Sequence, residues 1–332
     1  MGGIPVQVLR GGASKGAYFL ASDLPAGPAE RDRLLRALMG PPGRRRIDGI
    51  GGSKVAVVSR STDAGADVDY LFLEVGVAEP RVGPCGDILA GVGPFAIERG
   101  LVPACAPITG VRVRVLGTGE VVTVHVPTAD GRPSYAGDTR LSGVPGGAAR
   151  LRISYPGADG PSLLPTGRVI DDLDGVPATL IDNGTPMALI EAEALGVTGH
   201  ESATRLEYDA RLRHRVASLR RPARALMGAV PRMCLLARPA DGGSLSTRTF
   251  LPDRVHAAIG VRAAVGVGSA VALSGSVAAG LVAPVADRSV PRDVLRLEHP
   301  SGYFDLVLGD SPSDTSVVST ARLLLDGRVF AP

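Results

Sequence analysis

The chain has 332 residues and a formal charge of +3; 45% of its side chains are apolar, 21% charged and 4% aromatic, with no tryptophan. So small a charge and so few rings argue against a phosphate-tracking or base-stacking surface, so no nucleic-acid partner is expected. The length exceeds what one core usually fills, and two domains are expected.

The N-terminus enters a strand without a charged and then apolar leader, so no signal peptide is visible and the expected compartment is the cytoplasm. The apolar stretch 257–282 carries Gly, Ser and Arg262 and reads as buried helix rather than as a membrane span. Cys85, Cys105 and Cys234 are odd in number and far apart, which disfavours a disulfide framework or a zinc site. The five histidines show no metal-ligand spacing. No metal and no cofactor are expected.

In chain order, β-branched or alternating runs predict strands over 6–10, 55–59, 69–75, 111–116, 121–126, 151–155, 178–181, 187–191, 233–238 and 303–308. Ala17-Tyr18-Phe19-Leu20 continues as strand after a glycine-rich turn. Helices are predicted over 29–39, ended by Gly40-Pro41-Pro42, and over 204–219, with Leu206, Leu212 and Val216 on one face. Segments 88–97 and 257–271 are apolar nearly all round and should each be enclosed by strands. Each follows a polar turn, one carrying Cys85 and the other His256, about half the chain apart. The pattern is α+β, with two pseudo-repeated domains in which a sheet curls round a central helix. A doubly wound sheet fits worse, since strands and helices do not alternate. The expected division is 1–168 with 317–332 returning to it, and 169–316.

Of 36 basic residues only Lys15 and Lys54 are lysines. Each closes a glycine-rich turn, Gly11-Gly12-Ala13-Ser14-Lys15 and Gly51-Gly52-Ser53-Lys54. An amine, unlike a guanidinium, can act as a neutral base when desolvated. Chance survival in flexible turns is the competing explanation. Gly12-Ala13-Ser14-Lys15-Gly16 has the G-x-S-x-G spacing of a hydrolase elbow, but only one strand precedes it and a strand follows. Neither a phosphate loop nor a dinucleotide fingerprint is present. Cys85 precedes a buried helix, where unpaired N–H groups favour a thiolate or a docked carboxylate; plain packing at a helix start is the alternative. For His256 a structural or substrate-orienting role is favoured over proton transfer.

The runs Arg10-Gly-Gly-Ala-Ser-Lys-Gly-Ala-Tyr-Phe, Asp48-Gly-Ile-Gly-Gly-Ser-Lys, Cys85-Gly-Asp-Ile-Leu-Ala-Gly-Val-Gly-Pro-Phe, Leu164-Pro-Thr-Gly, Ile181-Asp-Asn-Gly-Thr-Pro-Met, Thr247-Arg-Thr-Phe-Leu-Pro and His256-Ala-Ala-Ile-Gly-Val together resemble the PrpF family, in matching order, from about residue 4 onwards. That family includes 2-methylaconitate isomerases and 4-oxalomesaconate tautomerases. The resemblance implies the diaminopimelate-epimerase-like fold, with an active site between two barrel domains. It also implies cofactor-independent proton shuttling on di- or tricarboxylates. Lys54 and Cys85 fall at the family's catalytic lysine and cysteine. Arg10, Ser14, Lys15, Ser53, Gly86, Asp87, Asn183, Arg248 and His256 are the expected substrate contacts. The expected partners are a small carboxylic acid and, beyond it, at most a second copy of the chain.

Two departures stand out. Pro84 and Asp87 replace the amides that usually flank the family's Cys-Gly, and Asp253 and Val255 differ in the second-half lead. A negative charge beside the thiol disfavours thiolate and an anionic substrate. A substrate with fewer carboxylates, or a non-catalytic accessory role, is the alternative these changes raise. A two-thiol racemase would need a second cysteine where His256 stands.

Overall fold

The computed structural model describes residues 2–40, 49–75, 81–82, 88–157, 163–287 and 290–331. The chain forms two compact units, Met1–Ser154 with Ser319–Pro332, and Tyr155–Val318.

In the first unit β1 (Ile4–Gly11) and β2 (Ser14–Leu20) form a hairpin. Helix α1 (Pro28–Met39) then carries the chain to β3 (Lys54–Arg60), parallel to β2, as a parallel pair needs a crossover. Strand β4 (Val68–Glu74) returns antiparallel, and β5 (Arg81–Val82) pairs with its end. After α2 (Val92–Glu98), β6 (Ile108–Val115) lies parallel to β4, and β7 (Val121–Ala129) antiparallel to β6. The short β8 (Arg132–Pro133) and then β9 (Arg150–Ser154) pair with β7. The ring closes through a strand from the far end of the sequence, Thr315–Val329, which pairs with both β9 and β1. Among the described residues the closed ring around α2 thus has eight strands, the four from β1 to β4, then β6, β7, β9 and this last one, with the short β5 and β8 at its edges.

The enclosure is dictated by side chains. Strands β6 and β7 alternate buried and exposed residues, with the buried set turned inward. Val92 through Ile97 are all buried. Gly93 passes so close to the wall that a Cβ there would lie 2.7 Å from Val126 and 2.8 Å from Val124.

The second unit repeats the order. Strands β10 (Asp171–Leu173), β11 (Val176–Asp182) and β12 (Pro186–Glu191) are antiparallel neighbours. Helices α3 (Ala203–Tyr208) and α4 (Ala210–Met227) lead to β13 (Arg232–Ala237), parallel to β12, with β14 (Leu245–Phe250) antiparallel to it. Helix α5 (Val261–Val271), buried from Ala263 to Ala270, precedes β15 (Val294–His299), parallel to β14. Strand β16 (Gly302–Leu308) and the start of β17 (Thr315–Val329) complete the unit. The succession antiparallel, parallel, antiparallel, parallel, antiparallel from β1 to β7 recurs from β11 to β16. In this repeat α1 corresponds to α4, α2 to α5, and the β1–β2 turn to Asp182–Pro186.

Three sequence expectations are corrected. The segment 204–219 is two helices, because the Asp209 carboxylate accepts from Leu212 N and caps a second helix that runs on through Pro222. The helix expected from 257 begins at Val261, since His256 Nδ1 accepts from Ala258 N and holds that lead as a turn. The helix expected from 88 opens as a tight turn at Leu89–Gly91. The first unit's leading segment ends at Ser154 and the second unit begins at Tyr155. Tyr155 packs under the Arg262 guanidinium at 4.4 Å, and Leu163 O accepts from Asp182 N, tying that stretch to the second unit.

Strands β14 and β15 were missed. All of Leu245–Phe250 is buried although it reads Leu-Ser-Thr-Arg-Thr-Phe. Its polar groups find partners inside: Ser246 Oγ donates to Gly199 O, Thr247 Oγ1 to Glu298 O, and Thr249 Oγ1 to Cys234 Sγ. Hydrophobic periodicity cannot reveal such a strand.

Candidate active site

The β1–β2 turn is built around close approach. Gly12 takes φ +58 and its N–H donates to Thr320 O at 2.9 Å, anchoring the turn to β17. A Cβ on Gly11 would lie 2.8–2.9 Å from the Tyr18 hydroxyl, Gly91 N and Ile88 O. Arg10 braces the same turn, its Nη1 donating to Gly12 O at 2.7 Å and Thr320 Oγ1 at 2.8 Å. Ser14, the first residue of β2, is thereby held in place.

Lys54 is the first residue of β3, which begins beside β2. Its Nζ donates to Ser14 Oγ at 2.8 Å. Gly16 lies between two other segments: a Cβ there would meet Lys54 O at 3.2 Å and Ile88 Cδ1 at 2.8 Å. Ile88 opens the enclosed helical segment, and its carbonyl accepts from the buried Tyr18 hydroxyl at 2.6 Å and from Gly91 N at 3.1 Å. A side chain at Gly91 would collide with the Tyr18 hydroxyl. The glycine turn, the lysine and the root of the helix thus converge at the end of the barrel where β2 and β3 begin. Cys85, Gly86 and Asp87, three to one positions before Ile88, lie outside the described residues.

The remaining expected contacts have varied settings. Lys15 is exposed and stands opposite Arg10 across the hairpin. Ser53 is half-buried, and its carbonyl accepts from Val75 N at 2.6 Å. In the second unit Asn183 is fully buried and donates to Ser269 Oγ at 2.7 Å and Ser313 O at 3.3 Å, fixing the turn against α5 and the loop before β17. Arg248 is buried within β14, its Nε donating to Glu201 O at 2.6 Å and its Nη1 to Thr247 O at 2.9 Å. His256 is half-buried; burial, with the nearby Arg232 and Arg254 cations, pushes its pKa down against the hydrogen bond from Ala258 N.

Sequence reasoning assigned no role to Tyr18 or Thr320. A tyrosine within the apolar run Ala17-Tyr18-Phe19-Leu20 was the available signal, since a buried hydroxyl must find an acceptor. Among the described residues no cluster of three or more His, Cys, Asp or Glu could hold a metal ion. No described helix is long and apolar enough to cross a membrane.

A barrel strung round a buried helix, with an amine, a hydroxyl and a helix root gathered at one end, belongs to the α+β diaminopimelate-epimerase-like class. The chain matches the family model described as PrpF protein over residues 1–332, and it belongs to that family. It is 48% identical to the 4-oxalomesaconate tautomerase of Pseudomonas putida, over 98% of this chain and 95% of the relative. It is 33% identical to the 2-methyl-aconitate isomerase of Shewanella oneidensis, over 99% of this chain and 97% of the relative. The crystal structure of a methylitaconate-delta-isomerase superposes with a TM-score of 0.84 at 28% identity, covering 98% of this chain and 94% of that one. The chain is an isomerase.

Proposed function

We propose that this isomerase is a cytoplasmic, cofactor-independent enzyme that shifts a double bond by 1,3-proton transfer in an unsaturated di- or tricarboxylic acid, 4-oxalomesaconate being the first candidate. The carrying observation is the Lys54 Nζ–Ser14 Oγ contact beside the anchored start of the enclosed helix. It is supported by the 48% identity to a relative bearing the tautomerase name.

The reaction needs a base for a C–H proton, an acid that returns a proton two atoms away, and fixed positive charge for the enolate between them. In our reading Lys54 removes the proton, with Ser14 fixing the direction of its nitrogen. Cys85 acts as the second proton carrier. The electron pair of the broken C–H bond moves into the new double bond, and the old double bond takes up the returning proton, so no redox partner is required. General acid–base groups contribute roughly 100- to 10,000-fold each. Donors preorganised around developing negative charge add on the order of 3 kcal/mol.

The test is to incubate 4-oxalomesaconate with the enzyme in deuterium oxide and follow isomerisation and label by NMR. Enzyme-dependent deuterium at the carbon that gains a proton supports the reading. No exchange into 4-oxalomesaconate or any aconitate-type acid would reject it.

A further inference from the structure

Outside the candidate active site, the second unit holds a cavity of about 230 Å³ between α4 and the turn that follows β14. On one side it is lined by Arg213, His214, Ala217 and Arg220 of α4, and on the other by Phe250, Leu251, Pro252 and Arg254. The turn is tight, with Leu251 N donating to Arg254 O at 2.8 Å.

The charge around the cavity is lopsided. Arg213 is neutralised, its Nη1 bonded to Glu207 Oε1 at 2.6 Å. Arg220 and Arg254 make no ion pair among the described residues. Arg220 donates from Nη2 to Phe250 O at 3.1 Å and Leu251 O at 3.2 Å, while its buried Nε has no hydrogen-bond partner among the described residues. A buried donor on a cation that meets only carbonyls leaves an interaction unmade, and it is costly. Burial also holds the Arg220 pKa below its ordinary value, with no carboxylate to oppose it. Guanidinium groups bind carboxylates in paired hydrogen bonds, and beside them Ala217, Phe250, Leu251 and Pro252 supply an apolar wall, with His214 and the paired Arg213 completing the lining. The volume equals about seven or eight waters in the liquid, which suits a small organic acid.

We propose that this cavity is a binding site for a small carboxylate with an apolar body, its acid group held by Arg220 and Arg254 and its body against Phe250, Leu251 and Pro252. The ligand would brace the turn whose chain continues directly to His256. The site lies in the second unit alone and does not depend on the chemistry assigned to Lys54.

Calorimetric titration of the intact chain with benzoate tests it, with inorganic phosphate as a second arm. The expected result is saturable one-to-one binding of benzoate. Arg220→Met and Ala217→Phe, which remove the cation and fill the cavity, should each weaken it at least tenfold while leaving kcat/KM within about twofold. Ala217 lies on the exposed side of α4, so that variant decides the matter if Arg220→Met does not fold. Four results would overturn the proposal. These are no saturable binding up to about 20 mM, unchanged affinity in Ala217→Phe, saturation by phosphate alone, or competitive inhibition by benzoate at a Ki equal to its Kd.

Discussion

Lys54 and Ser14 begin neighbouring parallel strands, and the lysine Nζ donates to the serine hydroxyl across 2.8 Å. A long flexible amine is thereby given one direction. Lys54→Arg keeps a positive charge but loses the neutral-base form, and turnover should fall by roughly 100- to 10,000-fold. Ser14→Ala leaves the amine in place without its guide, so kcat should fall roughly tenfold to a hundredfold with little change in KM. Steady-state kinetics on 4-oxalomesaconate checks both, and wild-type kcat in Lys54→Arg would end the assignment.

The Tyr18–Gly91–Ile88 contact makes a thermodynamic prediction. Tyr18→Phe removes the bond to the Ile88 carbonyl and should cost about 1 kcal/mol, since Gly91 N still donates to that oxygen. Gly91→Ala drives a methyl group into the Tyr18 hydroxyl and should cost about 1–3 kcal/mol. Combining the two makes room for the methyl, so the double variant should lose less than the sum of the singles. Urea unfolding of the four proteins measures this, and strict additivity would show that the contact is not made.

Glu298 closes a different loop. Its carboxylate is buried and accepts from Ala240 N, Asp241 N and Gly243 N at 2.7–2.8 Å. Glu298→Gln replaces one acceptor oxygen with a donor facing a donor, and should cost roughly 2–3 kcal/mol. A melting temperature equal to wild type would contradict this.

Acid should weaken the fold through His299. Burial, the largest influence, and the nearby Arg248 and His256 push its pKa down to about 4 against a hydrogen bond at Tyr303. The unfolded chain therefore takes up this proton near pH 6.5 and the folded one only near 4. The stability so gained is complete above about pH 6.5 and is lost as pH falls towards 4. Allowing for screening at its partly exposed edge, the loss should be roughly 1–2 kcal/mol. The burial-lowered His256 adds in the same direction. Urea midpoints between pH 7.5 and 4.5 should show the decline, and His299→Gln should make it shallower.

Lysine scarcity and doubled glycines singled out Lys54 and Ser14, and the structure places their side chains in contact. The enclosed helices were legible because they lack a polar face. Arg248 was read as a substrate grip; its Nε and Nη1 serve the backbone carbonyls of Glu201 and Thr247. A charged residue in a polar-looking run reveals nothing about burial until its strand partners are known. Tyr18 was equally opaque, because its acceptor, Ile88 O, lies 70 positions away. Long-range closure, rather than local propensity, set what could be read.

Strand β17 leaves the second unit and supplies the stave that pairs with β1 and β9. On the ribosome the first unit therefore waits, with one edge of β1 and one of β9 unpaired, until the second unit has been made. Its completion comes after that of the segment that follows it, reversing the usual order of assembly. The exposed β1 edge in that interval is where a chaperone, or another nascent copy, would have its opportunity.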